Sequence, residues 1–155
     1  MVPNVIQKKD CIRLLGVSIV YKDGEKKDHA INMLWDEFYQ RIGCAMDGIS
    51  FPTYGVCIPV AASHTVYVAG FEITRDGDIP SGFSEFSFGD GLYAVFHHKG
   101  QPSSLNKTFE KVLTEWIPRS SYRALNEPSI VKFDEEFRIS DSNSRLELWV
   151  PVELV

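Results

Sequence analysis

Glu147 and Trp149 stand two residues apart in "RLELWVPVEL" (145–154) and put a carboxylate beside an indole. The alternation reads as a strand, with Leu146, Leu148, Val150 and Val152 on one face and Glu147 and Trp149 on the other. In an apolar setting an unpaired carboxylate costs several kcal/mol or takes up a proton. A bound organic cation removes that cost, and each aromatic face adds cation–π attraction of ~0.5–2 kcal/mol. Such a pair selects flat, positively charged, apolar molecules. On an exposed edge the same glutamate is an ordinary surface charge, and the pattern alone leaves both readings open.

A second acid lies in "TVYVAGFEIT" (65–74), where Val66, Val68, Gly70 and Glu72 share a face. Glu72 is therefore also in a mostly apolar row, with a salt bridge to a lysine or arginine as the alternative. Tyr54 opens "TYGVCIPVA" (53–61) beside Gly55 and could wall a groove. Trp35 and Trp116 fall at helical spacing with Phe38, Tyr39 and Phe109, which usually means core. Trp35 and Trp116 are the two expected to reach a groove rim.

Other chemistries find less support. His97 and His98 are strand neighbours on opposite faces and have no third ligand at metal spacing, so no metal is expected. The glycines of "GDGLYAVFHHKG" form no GxGxxG or Walker pattern, and no cofactor is expected. Nucleophile-elbow and Cys-His signatures are missing too, so no catalytic residue is assigned. Cys11, Cys44 and Cys57 make an odd count with no CxxC, the usage of reduced thiols in a cytoplasmic protein.

These residues need elements to position them. "CIRLLGVSIVY" (11–21) reads as a strand, and "HAINMLWDEFYQRIGCAM" as an amphipathic helix with Ile31, Leu34, Trp35, Phe38, Tyr39 and Ile42 on its stripe. Strands at 53–61 and 65–74 complete a first half, and the Gly- and Pro-punctuated stretch 75–91 reads as a connector. "LYAVFHHKG" (92–100), a helix from Leu105 through Phe109, Val112, Leu113 and Trp116, a loop at 118–128 and strands "SIVKFDEEF" and "RLELWVPVEL" form a second half. The order is a duplicated β-α-β-β, with halves at about 10–75 and 90–155 of one domain spanning 1–155. That predicts an α+β class, an antiparallel sheet with two helices, and a pseudo-two-fold groove between the halves. If the halves are so related, Glu72 and Glu147 take related positions.

With 44% hydrophobic residues the chain can bury a proper core. A net charge of −5 argues against nucleic acid as a direct partner. The start shows no long apolar signal region and no apolar run approaches a membrane span, so a cytoplasmic protein with no membrane association is expected.

"YVAGFEI" (67–73), "GLYAVFHHKG" (91–100), "EWIPRSSYRALNEP" (115–128) and "LELWVPV" (146–152) together resemble the GyrI-like small-molecule-binding family. This is the effector-binding domain of AraC- and MerR-type multidrug regulators, with free-standing relatives that include integron-cassette proteins. The resemblance implies a duplicated β-α-β-β fold of the SHS2 type. It also implies binding of lipophilic, often cationic drugs and dyes between aromatic walls, with a buried glutamate as counter-charge. The family's "(V/I)E(I/L)Y(I/V)P" strand falls on Glu147 and Trp149, with tryptophan where tyrosine is usual, and its "AGxEV" strand puts an acid at Glu72. The "W(L/I)PxSxY" stretch falls on Trp116, Ile117, Pro118, Ser120 and Tyr122. A second acid common in a "P-x-F-E-x-Y" strand is replaced by Val131, with Phe133 at the tyrosine position.

The ligand-binding set expected from residues and resemblance is Glu147, Trp149, Glu72, Tyr54, Trp35, Trp116 and Tyr122. Neither helix carries a basic recognition face, so the resemblance is to a sensor half without its DNA-reading half. It implies a stand-alone sensor or sequestering protein. Some family members hydrolyse reactive natural products. Hydrolysis with Glu147 and Tyr122 or Tyr54 activating water is thus the alternative reading, and a gyrase-inhibitor-like protein interaction a third. A protein partner or a homodimer through paired strand edges stays open.

Overall fold

The computed structural model describes residues 5–22, 27–45, 52–61, 63–73, 77, 79–99, 105–133 and 145–155. Residues 75, 76 and 78 of the stretch read as a connector and the last four residues of "SIVKFDEEF", 134–137, lie outside them. The first half holds β1 (Val5–Lys9), β2 (Ile12–Lys22), α1 (Lys27–Ala45), β3 (Thr53–Ala61) and β4 (His64–Glu72). The second holds β5 (Ser84–Phe88), β6 (Gly91–Lys99), α2 (Leu105–Lys111), a π-helical turn (Val112–Trp116), α3 (Ile117–Arg119), β7 (Tyr122–Ala124), β8 (Ser129–Phe133) and β9 (Arg145–Leu154). The class is α+β, as expected.

The strands form one sheet in the order β1-β6-β9-β8-β3-β4-β2-β5, with β7 paired to β9, and every pairing among the described residues is antiparallel. The order reads the same from either end when halves are exchanged: β3 answers β8, β4 answers β9, β2 answers β6 and β5 answers β1. The pseudo-two-fold therefore runs through the β3–β8 seam. Each outermost strand crosses over, because β1 pairs with β6 of the second half and β5 with β2 of the first.

β1, β5 and β7 are additions to the elements expected from sequence. β5 lies inside the presumed connector, where Phe86 and Phe88 alternate with serine and glutamate. Short edge strands of this kind carry little periodic signal and are held by partners distant in sequence.

Helices cover one face of the sheet. Leu34, Phe38 and the half-buried Ile31, Trp35 and Ile42 of α1 pack on Leu15, Val17, Tyr67, Ala69 and Phe71. Val112, Phe109, Trp116 and Ile117 pack on Phe96, Leu146, Leu148, Val150 and Val152. Two stripe positions depart from expectation. Tyr39 is 54% exposed, and Leu113 is 38% exposed beside a fully buried Val112, because the wider π turn changes which positions face the sheet. The opposite face gathers Leu14, Tyr54, Val56, Val68, Tyr93, Val95, Ile130 and Trp149, residues from both halves.

Gly16 and Gly70 are register partners on that second face. A Cβ at Gly16 would lie 2.3 Å from the carbonyl oxygen of Ala69, where only backbone movement could relieve it. Gly16→Ala is expected to cost about 1–3 kcal/mol, the range for overpacking, read as a lowered urea midpoint. An unchanged midpoint would show that β2 and β4 can separate freely at this point.

Candidate functional site

Strand register assembles the site. His97 of β6 pairs with Glu147 of β9, Glu147 with Lys132 of β8, Lys132 with Tyr54 of β3, Tyr54 with Gly70 of β4 and Gly70 with Gly16 of β2. Directly paired residues point to the same side, so a row of polar side chains runs across four strands and ends on two glycines, Gly70 and Gly16. The row beside it is Val95, Trp149, Ile130, Val56, Val68 and Ser18, which is apolar except at its last position. An apolar sheet face is thus bordered by a short polar row with the Glu147–Lys132 pair at its centre.

Glu147 is the centre of that line. Its Oε1 accepts a hydrogen bond from Trp149 Nε1 at 3.3 Å, along the strand rather than across it. Lys132 Nζ lies 4.0 Å from its Oε2 and His97 Nε2 lies 4.0 Å from its Oε1. The carboxylate is 29% exposed, so it is neither sealed in the core nor on an open edge. An indole N–H and an ammonium compensate it, and it stays partly exposed.

Glu72 reaches the same neighbourhood from the other half. Its Oε1 accepts a hydrogen bond from Tyr54 Oη at 3.0 Å. The two acids are not symmetry mates, however. Glu72 closes β4, whereas Glu147 lies near the start of β9, and a two-fold that exchanges these strands preserves position along them. They flank the same end of the β3–β8 seam because those strands run antiparallel, which brings the start of one against the end of the other, and β8 and β3 stand between them.

Tyr54 and Trp149 sit two strands apart, about 10 Å along the sheet, yet their rings meet edge to face with centroids 6.0 Å apart. Tyr93 approaches Trp149 from the other side, also at 6.0 Å. Tyr54, Tyr93 and Trp149 are each under 5% exposed, so the aromatic patch is tightly packed in this conformation.

The other expected site residues are placed elsewhere. Trp35 lies on the helix-covered face, donates Nε1–H to Tyr67 Oη at 3.0 Å and packs on Phe38 and Phe133. Trp116 stacks on Tyr122 and meets Phe96 edge to face, within the helix-side core of the second half. Amphipathic helices turn their large side chains to the sheet, and these helices dock on the side away from Glu147. The structure brings together Glu147, Trp149, Glu72 and Tyr54, and leaves Trp35, Trp116 and Tyr122 behind the sheet.

Sequence reasoning missed Lys132, His97, Tyr93 and Lys9 as neighbours of the site. The period-two alternation of β6 and β8 assigns each of the first three a face, but only register shows that they flank Glu147. Lys9 ends β1 and holds its Nζ 4.2 Å from the centre of the Trp149 ring. His98 points to the helix side, with Nδ1 3.0 Å from Thr108 Oγ1. No group of three metal-ligating side chains occurs among the described residues.

Burial pushes the Tyr54 hydroxyl well above the usual tyrosine range, and the charge and hydrogen bond of Glu72 add to it. Burial likewise raises Tyr67 and Tyr93. A pKa higher in the folded than in the unfolded chain stabilises the fold below the ordinary value of about 10 and is lost as pH rises beyond it. Lys9, lowered chiefly by burial, acts in the opposite sense. We expect absorbance titration near pH 11 to show fewer ionised tyrosines in the folded protein than in denaturant. Equal ionisation would contradict the buried, bonded state of Tyr54.

Chemically, the face sets three closely packed aromatic rings beside two partly exposed carboxylates. No helix of the described residues is long and apolar enough to cross a membrane.

The family model for the GyrI-like small molecule binding domain matches residues 3–153. The transcriptional regulator BrlR of Pseudomonas aeruginosa is 27% identical over 132 residues, 83% of this chain and 48% of BrlR, so the chain spans about half the length of that relative. The fold is similar to that of SAV2435 bound to tetraphenylphosphonium, with a TM-score of 0.76, 19% identity and coverage of 96% of this chain and 93% of that one. It is also similar to the integron cassette protein VCH_CASS2 of Vibrio cholerae, with a TM-score of 0.70, 14% identity and coverage of 96% and 95%.

Proposed function

The chain belongs to the GyrI-like small-molecule-binding family, and from that premise we propose that it binds lipophilic organic cations against Trp149 and Tyr54, with Glu147 and Glu72 as counter-charges. The observation that carries this is the juxtaposition of a half-buried carboxylate with an indole that donates to it and forms part of an apolar sheet face. A cation on that face meets π surface and negative charge together, and cation–π attraction strengthens as water is excluded. SAV2435, similar in fold, is seen bound to tetraphenylphosphonium, a cation of this chemistry.

BrlR is a transcriptional regulator, and the matched region is about half of it. We place this chain in the same kind of role: it detects or sequesters a cytoplasmic ligand and, where it regulates, passes the signal on through another polypeptide segment or partner. Trp35, Trp116 and Tyr122 serve this reading as packing behind the sheet.

Titration with tetraphenylphosphonium, followed by tryptophan fluorescence, tests it. Saturable quenching is expected, because Trp149 lies in the face that fills. Absence of any response from this cation and from a panel of lipophilic cationic dyes would contradict the proposal.

A further inference from the structure

A cation of the protein's own already occupies part of the proposed binding face. β1 is an edge strand that pairs only with β6 among the described residues, with Lys9 opposite Gly91 and Gln7 opposite Tyr93. That register turns Lys9 to the side of Tyr93 and Trp149. Its ammonium stands over the Trp149 ring, well within the ~6 Å reach of a cation–π contact. The side chain is half-buried. Burial lowers its pKa, the charge of Glu147 pulls it back up, and Lys132 lowers it further. Lys9 thus meets both groups assigned to the ligand, the indole face and the glutamate.

Resting on the function proposed above, we infer that Lys9 is an internal competitor: its ammonium covers the Trp149 ring and must leave before an organic cation can take that place. The covering is displaceable by construction. Among the described residues the strand that bears Lys9 is bonded along one side only, its four-carbon stem is flexible, and an ammonium released from a partly buried position regains water. The device also sets the ligand class. A small primary amine offers the indole nothing that Lys9 does not already supply. A large cation that spreads aromatic surface over Trp149 and Tyr54 offers more, and it alone wins the exchange.

Calorimetric titration of tetraphenylphosphonium into the wild type, Lys9→Ala and Lys8→Ala tests this. Lys8 is exposed on the opposite side of β1, so its removal changes the charge equally without uncovering the ring. Lys9→Ala should tighten binding about tenfold, the equivalent of one cation–π contact, and Lys8→Ala less than about twofold, as for a surface charge. Lys9→Thr, a strand-favouring replacement, should match Lys9→Ala. Equal gains at both positions would overturn the competitor in favour of general electrostatics. Unchanged or weaker binding in both Lys9 variants, with normal binding by the wild type, would overturn it alone. If no variant and no wild type binds the cation, the proposed ligand class falls and takes the competitor with it.

Discussion

Replacing Trp149 by alanine is expected to cost about 3–5 kcal/mol of folding stability, the range for emptying a buried large aromatic. Trp149 is 4% exposed and is flanked on both sides by tyrosine rings. It lies where residues of the two halves pack together, so the cavity would open at the centre of that face, where Tyr54, Tyr93 and Ile130 would have to move to refill it. Equilibrium urea unfolding reads the loss directly. Trp149→Phe should retain most of the stability, which separates the packing of the ring from the Nε1–H bond to Glu147. A loss below about 1 kcal/mol in Trp149→Ala, typical of ordinary surface positions, would show that the ring is not part of the structural core.

Glu147→Gln should weaken a lipophilic cation by ~1.5–3 kcal/mol, the range for interactions with a charged group, and leave neutral ligands of the same shape nearly unaffected. The substitution preserves size, and its amide oxygen can still accept from Trp149 Nε1, so the fold should persist. The loss arises because Lys132 remains beside the position after the negative charge is gone. Paired titrations with tetraphenylphosphonium and triphenylphosphine oxide give the comparison. Equal losses for the charged and neutral probes would mean that Glu147 shapes the face without supplying counter-charge.

Much of this arrangement is legible in the sequence because it is local. The alternation in "RLELWVPVEL" already separates Glu147 and Trp149 from the aliphatic face, and that in "TVYVAGFEIT" separates Glu72 from Tyr67 and Phe71. The stripes of α1 and α2 are equally local, and the repeated element order implies a pseudo-two-fold. What period and spacing do not contain is register between distant segments. The row His97, Glu147, Lys132, Tyr54 comes from four strands, and nothing within any one of them places Lys132 beside Glu147. The same gap hides Lys9, carried by an edge strand that pairs across to the other half.

The helix aromatics show the complementary limit. Trp35 and Trp116 sit on amphipathic stripes, which determines that they bury but not on which side of the sheet they do so. The helices pack behind the face that carries Glu147, so Trp35 completes a hydrogen bond with Tyr67 and Trp116 stacks on Tyr122. The symmetry argument fails for the acids in a similar way. Equivalent strands carry them, yet at different positions along those strands, so they flank the antiparallel seam without being symmetry mates.

The three tryptophans make the central claim directly measurable, because the structure places one on the proposed binding face and two on the helix side of the sheet. Their indole N–H signals in a proton–nitrogen correlation spectrum, followed as tetraphenylphosphonium is added, report on each separately. Binding at the proposed face shifts the Trp149 signal, whose N–H is bonded to Glu147, and leaves those of Trp35 and Trp116 nearly in place. Movement of Trp35 or Trp116 with Trp149 unmoved would put the ligand on the helix side and contradict the account.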